Sequence, residues 1–294
     1  MSEISDRIRK QFKEGDDIRD AGLKEPEDVK CYRDIVYGKN EKWQSLDVYR
    51  PKEAEDVPLP VIVSVHGGGW VYGDKERYRF YCMSLAQRGF AVVNFSYRLA
   101  PENKFPASLE DTNAVFTWVL AHKEEYAFDT EHIFAVGDSA GAHNLALYCC
   151  ILTNQSYAAE YSFKTPRGFC PKAVALNCGK YNVSPQEGED LETKELMKDY
   201  LPQGGTLEEM KRICAVDYIT AAFPPVFLMT ATGDFLTSQA LVMAEKLMEK
   251  SVPFELHFYG DESHILGHVF HCNMKLPEAA KCNDEECAFF GKFM

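Results

Sequence analysis

The run Gly137-Asp138-Ser139-Ala140-Gly141 closes an apolar strand, His132-Ile133-Phe134-Ala135-Val136, and opens a helix that starts at Ala142. No other feature restricts the chain as much. A serine in so sharp a strand-to-helix turn takes strained backbone angles. Only small neighbours let the adjoining chain pack close, hence glycine at both ends. The turn pushes the serine hydroxyl out at the carboxyl edge of a sheet, above the first free amides of a helix, which is the position of a nucleophile. The five-residue pattern is loose by itself, so its surroundings have to decide what it means.

Those surroundings alternate between strand and helix. Tyr32 to Tyr37 and Trp43 to Tyr49 read as two antiparallel strands joined at Gly38-Lys39-Asn40, and Val61 to Val65 reads as a buried central strand. Strands follow at Phe90–Phe95, Ala173–Leu176, Val226–Thr230 and Phe254–Tyr259, with helices at Pro106–His122 and Phe235–Lys250 and a last one from near Pro277. Repeated units of this kind predict an α/β fold: a mostly parallel sheet with helices on both faces, its ligand site outside the carboxyl ends of the strands. At this length one domain over residues 1–294 is expected, with an insertion rather than a second domain. The acidic stretch 180–222, with a helix around Leu191 to Tyr200, interrupts the alternation and is expected to form a small lid. Ile4, Ile8 and Phe12 recur every fourth position among charges, so an amphipathic helix within residues 1–25 is expected to join it.

Serine-based acyl chemistry needs a nucleophile, a base, an acid that orients the base, and donors for the oxyanion. His66-Gly67-Gly68-Gly69-Trp70 follows the central strand, and its glycines leave backbone amides uncovered; Gly68, Gly69 and the amide of Ala140 are the candidate oxyanion donors. Asp234, in the turn Thr232-Gly233-Asp234 after an apolar strand, is the candidate acid; a plain helix N-cap is its bland alternative, and Asp217, inside the insertion, is a weaker competitor. The base must lie later still. His268 is preferred and His264, nearer the strand end, stays open as the alternative. His66 is expected to hydrogen-bond the glycine loop, while His257, His122, His132 and His143 read as structural.

A formal charge of −13 lacks the basic surface that nucleic acid or an anionic membrane requires. No apolar run approaches a membrane span and no signal-peptide core is present, so a cytoplasmic location is expected. The ten cysteines are scattered and read as free thiols. His264, His268, His271, Cys272, Cys282 and Cys287 are irregularly spaced without a CxxC pair, so neither a metal nor any other cofactor is expected.

Taken in order, His66-Gly67-Gly68-Gly69-Trp70, Tyr97-Arg98-Leu99-Ala100-Pro101-Glu102, Phe105-Pro106-Ala107, Gly137 to Gly141, Thr232-Gly233-Asp234 and His268-Val269-Phe270 resemble the hormone-sensitive-lipase-like family of α/β-hydrolase carboxylesterases, from about Tyr32 to the C-terminus. The resemblance implies the α/β-hydrolase fold, Ser139, Asp234 and His268 as a triad, and Gly68, Gly69 and Ala140 as the oxyanion hole. It implies a serine carboxylesterase acting on short-chain, acetyl-type esters through an acyl-enzyme, with a small-molecule ester as partner and a homodimer as one form open to it. Departures are Ala142 in place of a second glycine, Thr237 in place of a second aspartate, and the extra histidine between Ser263 and Phe270. Trp70 and Gly141-Ala142-His143 also resemble arylformamidases, so an amidase with the same triad is the alternative. A non-catalytic ligand-binding protein on this fold is the rival from another class.

Overall fold

The computed structural model describes residues 2–54, 56–183 and 191–294. Eight strands form one sheet: β1 (Val29–Val36), β2 (Ser45–Pro51), β3 (Leu59–Val65), β4 (Ala91–Phe95), β5 (Phe128–Asp138), β6 (Val174–Asn177), β7 (Val226–Ala231) and β8 (Phe254–Tyr259). Their spatial order is β1-β2-β4-β3-β5-β6-β7-β8. β2 pairs antiparallel with β1 and β4, and every pairing from β4 through β8 is parallel. The helices are α1 (Glu3–Asp20), α2 (Lys75–Ala86), α3 (Ala107–Ala121), α4 (Ala140–Thr153), α5 (Gln155–Ala158), α6 (Leu191–Tyr200), α7 (Leu207–Arg212), α8 (Thr237–Glu249) and α9 (Pro277–Gly291). This is the mostly parallel, helix-flanked sheet that the strand–helix alternation predicts. Among the described residues no helix is long and apolar enough to cross a membrane, and no disulfide links the cysteines.

Strand periodicity divides the core in two. Along β3, Val61, Val63 and Val65 face one layer and Ile62 the other; along β7, Val226 and Leu228 part from Phe227, Met229 and Ala231 in the same way. The first layer is closed by residues such as Phe116 of α3, Leu145 of α4 and Met243 of α8, the second by Tyr81 of α2 and Phe289 and Phe290 of α9. Helices on both faces are why these strands read as unbroken apolar runs rather than alternating ones.

The helix α2 is absent from the sequence reading. Its buried residues include Lys75, Tyr78, Phe80, Tyr81, Cys82, Met83, Leu85 and Ala86, too many for one apolar stripe. Lys75 is buried by ionic contacts with Asp34, Asp47 and Glu76 at 2.8–2.9 Å. These carboxylates come from other parts of the sequence or from the helix itself, a compensation no local pattern displays.

Part of what supports the sheet edge beside Ser139 is polar. Asn177, at the end of β6, accepts the Ser139 amide at 2.9 Å through its carbonyl. Its side-chain amide donates to Glu286 of α9 at 2.7 Å, and the Tyr81 hydroxyl donates to the other oxygen of Glu286 at 2.8 Å. Burial pushes the Glu286 carboxyl up to about 7, against about 4.3 in an unfolded chain. An acid whose folded pKa is raised stabilises the fold below its unfolded pKa and loses that contribution as pH rises through the folded value. Glu286→Gln keeps the shape without the charge, its oxygen accepting from Asn177 and its amide donating to the Tyr81 hydroxyl. The difference in melting temperature between Glu286→Gln and wild type should therefore grow in the variant's favour from pH 5 to pH 8, as read by thermal unfolding across that range; a constant difference contradicts the buried ionisation.

Candidate active site

The turn that carries Ser139 is where the sequence places it. Ser139 sits between β5 and α4 with φ 51° and ψ −118°, a conformation that L-residues seldom occupy. The flanking glycines are required by close approach. A Cβ on Gly141 would stand 2.0 Å from the Val65 carbonyl oxygen, and one on Gly137 would stand 2.7 Å from the Gly141 carbonyl oxygen. The first turn of α4 therefore rests directly on the end of β3, which brings the loop after β3 beside Ser139.

That loop is braced from several sides. Gly68 has φ 115°, and a Cβ there would meet the Tyr72 carbonyl oxygen at 2.1 Å, so only glycine fits. His66 Nδ1 bonds the Gly67 carbonyl at 2.8 Å, its ring stacks on Tyr97 with centroids 4.0 Å apart, and the Tyr97 hydroxyl donates to the His66 carbonyl at 2.8 Å. Burial lowers the His66 pKa to about 4, so the ring is neutral. The loop role expected of His66 and the supporting role of the Tyr97 segment both have these contacts behind them. Among the described residues nothing accepts a hydrogen bond from the amides of Gly68, Gly69 or Ala140.

Asp234 and His268 meet by a backbone device. Gly233 and Gly267 form an isolated parallel bridge, with the Gly233 amide donating to the Leu266 carbonyl at 2.8 Å. The residues that follow them, Asp234 and His268, are thereby set side by side, and His268 Nδ1 lies 2.7 Å from Asp234 Oδ1. The carboxylate also accepts from Thr230 Oγ1 at 2.7 Å and from the Leu236 amide at 2.9 Å. Burial pulls the Asp234 carboxyl upward, but the bond to His268 and these other donors outweigh it and hold the group below the ordinary aspartate range. His264 points elsewhere, 3.0 Å from Glu278 and exposed. The turn closed by the Asp261 carboxylate on the amides of Ser263 and His264 directs it outward. Asp217 is exposed in a short 3₁₀ turn away from these groups. His143 accepts from Trp70 Nε1 at 3.1 Å through Nδ1 and meets the Ile213 carbonyl at 2.7 Å through Nε2, a buried structural residue.

Two cavities meet at Ser139. One, of about 300 Å³, runs past His268, Val269, Gly68 and Asp138 to α1. The other, of about 510 Å³, runs past Gly69, Trp70 and Ala140 to Leu196 of α6 and Leu236. Gln11, Phe12 and Phe235 border both. Both α1 and α6 border these cavities: Ile4 and Ile8 of α1 are buried while Phe12 lines both cavities, and α6 stands beside α1 through contacts of Ser2 and Ser5 with Asp199 and of Arg7 with Glu192. Residues 184–190 of the expected insertion lie outside the described residues. Among the described residues the one convergent group of potential metal ligands is Cys178, Asp234 and His268, with ligand atoms within 4.8 Å of one another. Two of the three are already paired. Of the histidines and cysteines weighed as a zinc set, only His268 belongs to it.

The BD-FAE family model matches residues 46–247, a stretch that holds the glycine loop, Ser139 and Asp234. The chain belongs to the BD-FAE family. Esterase LipC of Mycobacterium tuberculosis is 33% identical over 129 residues, covering 44% of this chain and 32% of LipC. The versiconal hemiacetal acetate esterase of Dothistroma septosporum is 27% identical over 232 residues, covering 74% of this chain and 69% of that protein. The chain thus spans about a third of the first of these relatives and about two thirds of the second. The crystal structure of esterase B from Lactobacillus rhamnosis superposes with a TM-score of 0.89 at 24% identity, covering 99% of this chain and 97% of that one. The α/β-hydrolase fold and the likeness to hormone-sensitive-lipase-like esterases, read from the motif order, are both shown.

In this BD-FAE member four non-glycine residues with positive φ stand in the segments that follow β3, β5, β6 and β8 around the site: Trp70, Ser139, Cys178 and Val269. Only Ser139 carries a sequence signal for it. Tyr78 of α2 was also missed. Its hydroxyl accepts from the Gly67 amide at 2.9 Å and donates to Asp138 Oδ2 at 2.7 Å, which ties the nucleophile turn to the glycine loop. Burial pushes the Asp138 carboxyl up to about 6, with the Tyr78 bond acting the other way. Tyr78→Phe strands both the Gly67 amide and the Asp138 carboxyl, so urea unfolding at pH 7.5 should show stability lowered by about 1–3 kcal/mol; an unchanged midpoint contradicts the tie.

Proposed function

We propose that the protein is a serine carboxylesterase that hydrolyses short-chain, acetyl-type esters of small molecules through an acyl-enzyme. The observation that carries this reading is the 2.7 Å contact between His268 and Asp234 beside a cavity that Ser139 also lines. With Nδ1–H donated to Asp234, Nε2 is the nitrogen free to take a proton.

In this mechanism His268 removes the proton from Ser139 as its oxygen attacks the ester carbonyl. The amides of Gly68, Gly69 and Ala140 stabilise the negative oxygen of the tetrahedral intermediate, a contribution of roughly 10²–10³ in turnover per donor. Asp234 keeps the ring oriented and stabilises its cationic form. His268 then returns the proton to the leaving alcohol, and the same ring activates a water that releases the acid and restores Ser139.

The two cavities divide the substrate between them. The general acid must reach the leaving oxygen, so the alcohol belongs on the His268 side and the acyl group on the Trp70 and Ala140 side. That second side is lined by apolar Trp70, Leu196 and Leu236 and also by Glu192, Thr193 and Lys180. A long hydrocarbon chain would press against charged groups there, which favours a short acyl group. The acetate ester in the name of the Dothistroma relative is consistent with that size.

The test is hydrolysis of p-nitrophenyl acetate, butyrate and laurate, together with labelling by a fluorophosphonate probe. Ser139→Ala and His268→Ala should each lose on the order of 10⁴-fold or more in kcat. His264→Ala should stay within about threefold of wild type, as expected of a surface substitution. Acetate and butyrate should exceed laurate in kcat/KM. A Ser139→Ala variant as active as wild type ends the proposal. Failure of the wild type to label supports a binding protein instead, and faster turnover of N-formylkynurenine than of any ester supports the amidase.

A further inference from the structure

The cavity on the His268 side is bordered by α1, which brings to it the apolar ring of Phe12 and, beyond that, a group of polar side chains. Asp16 and Arg19 project from α1 beside Gln11, and Tyr72 comes from the segment after the glycine loop. The Asp16 carboxylate is held in place: Oδ1 is 2.9 Å from Arg19 Nη1, and Oδ2 accepts from the Tyr72 hydroxyl at 2.9 Å. Its side chain is only 19% exposed. An ionised carboxylate has about four acceptor positions, so two contacts leave it able to accept from a ligand. Arg19 is fixed in turn by Asp20 at 2.7 Å and by the Arg77 carbonyl at 2.5 Å. A rotamer locked on both sides is pre-organised, and a ligand that uses it orders little further.

Resting on the esterase reading above, we infer that this cavity is a subsite for a polyhydroxylated leaving group of glycerol to monosaccharide size, with Asp16 accepting a hydrogen bond from one of its hydroxyls. Arg19, which lines the cavity, is shared by Asp16 and Asp20, and Asp138 lines the cavity too, accepting from the Tyr78 hydroxyl, so the lining offers carboxylate acceptors to the hydroxyls of an alcohol. Asp20 turns to Arg19 and does not line the cavity. A plain alkyl alcohol fits less well, because it would cover the carboxylate and the guanidinium without replacing their water. Asp16 is a specificity-determining residue in this reading and takes no part in bond making.

The experiment compares kcat/KM for glycerol 1-monoacetate, propyl acetate and acetylcholine, which share an acyl group and differ in the alcohol. Wild type should prefer the glycerol ester over propyl acetate by roughly tenfold. That ratio should fall toward one in Asp16→Leu and to an intermediate value in Asp16→Asn, which keeps an acceptor oxygen. Taking the ratio within each variant cancels any general loss, and the asparagine variant is decisive if the leucine variant disturbs α1. A wild-type ratio near one, or a ratio unmoved by both substitutions, overturns the subsite. Acetylcholine turned over faster than both other esters overturns it in favour of a cationic alcohol. If fluorophosphonate labels Ser139 while the ratio is flat, the subsite alone is wrong; if nothing labels and no ester is cleaved, the underlying reading falls and takes the subsite with it.

Discussion

The contact between Gly141 and the end of β3 is the constraint from which the site follows. No side chain separates the first turn of α4 from the Val65 carbonyl, because a Cβ would lie 2.0 Å from it. Helix and strand therefore meet backbone to backbone, and the loop that leaves β3 has to pass close to Ser139. A larger residue at position 141 would part them. The loop amides and the serine hydroxyl would then no longer face a common point, whatever the other residues did.

Around that contact the backbone is bent into costly shapes in several of the segments that follow the strands. Ser139, Trp70, Cys178 and Val269 all have positive φ, which costs on the order of 1–3 kcal/mol per residue. Such conformations persist only where surrounding bonds over-determine them. Here the Ser139 amide is held by Asn177, Trp70 by His143 and by a stack on Tyr200 at 4.9 Å, and the glycine loop by Tyr78 and Tyr97. The braces come mainly from the fully buried layer beneath the site, so the rigid part of the fold and the strained part are in direct contact.

How much of this the chain displays in its order of residues depends on the range of the interaction involved. Strands buried on both faces appear as apolar runs, and each central one lies within a few residues of its expected place. Ser139 is legible because the demands of its turn are local, written in the glycines two residues to either side. The choice between His264 and His268 is not local: it depends on a bridge between Gly233 and Gly267, far apart in sequence, and on an aspartate turn that swings His264 toward Glu278. The helix α2 escapes for a related reason. Its buried lysine and tyrosines are satisfied chiefly by carboxylates and amides supplied from elsewhere, Asp47, Asp138 and Gly67 among them, so no periodic stripe betrays it.

The N-terminal helix is fastened over the cavities largely by charge. Arg9 clasps Glu102 at 2.6 Å and the Val71 carbonyl at 2.8 Å, Arg77 holds Asp17, and Arg7 meets Glu192 at 3.1 Å across to α6. Several of these pairs are open to solvent, where dissolved ions weaken them, while the triad contact is enclosed. Dissolved ions therefore reach the contacts that hold α1 at the rim of the cavities and leave the enclosed pair of Asp234 and His268 untouched.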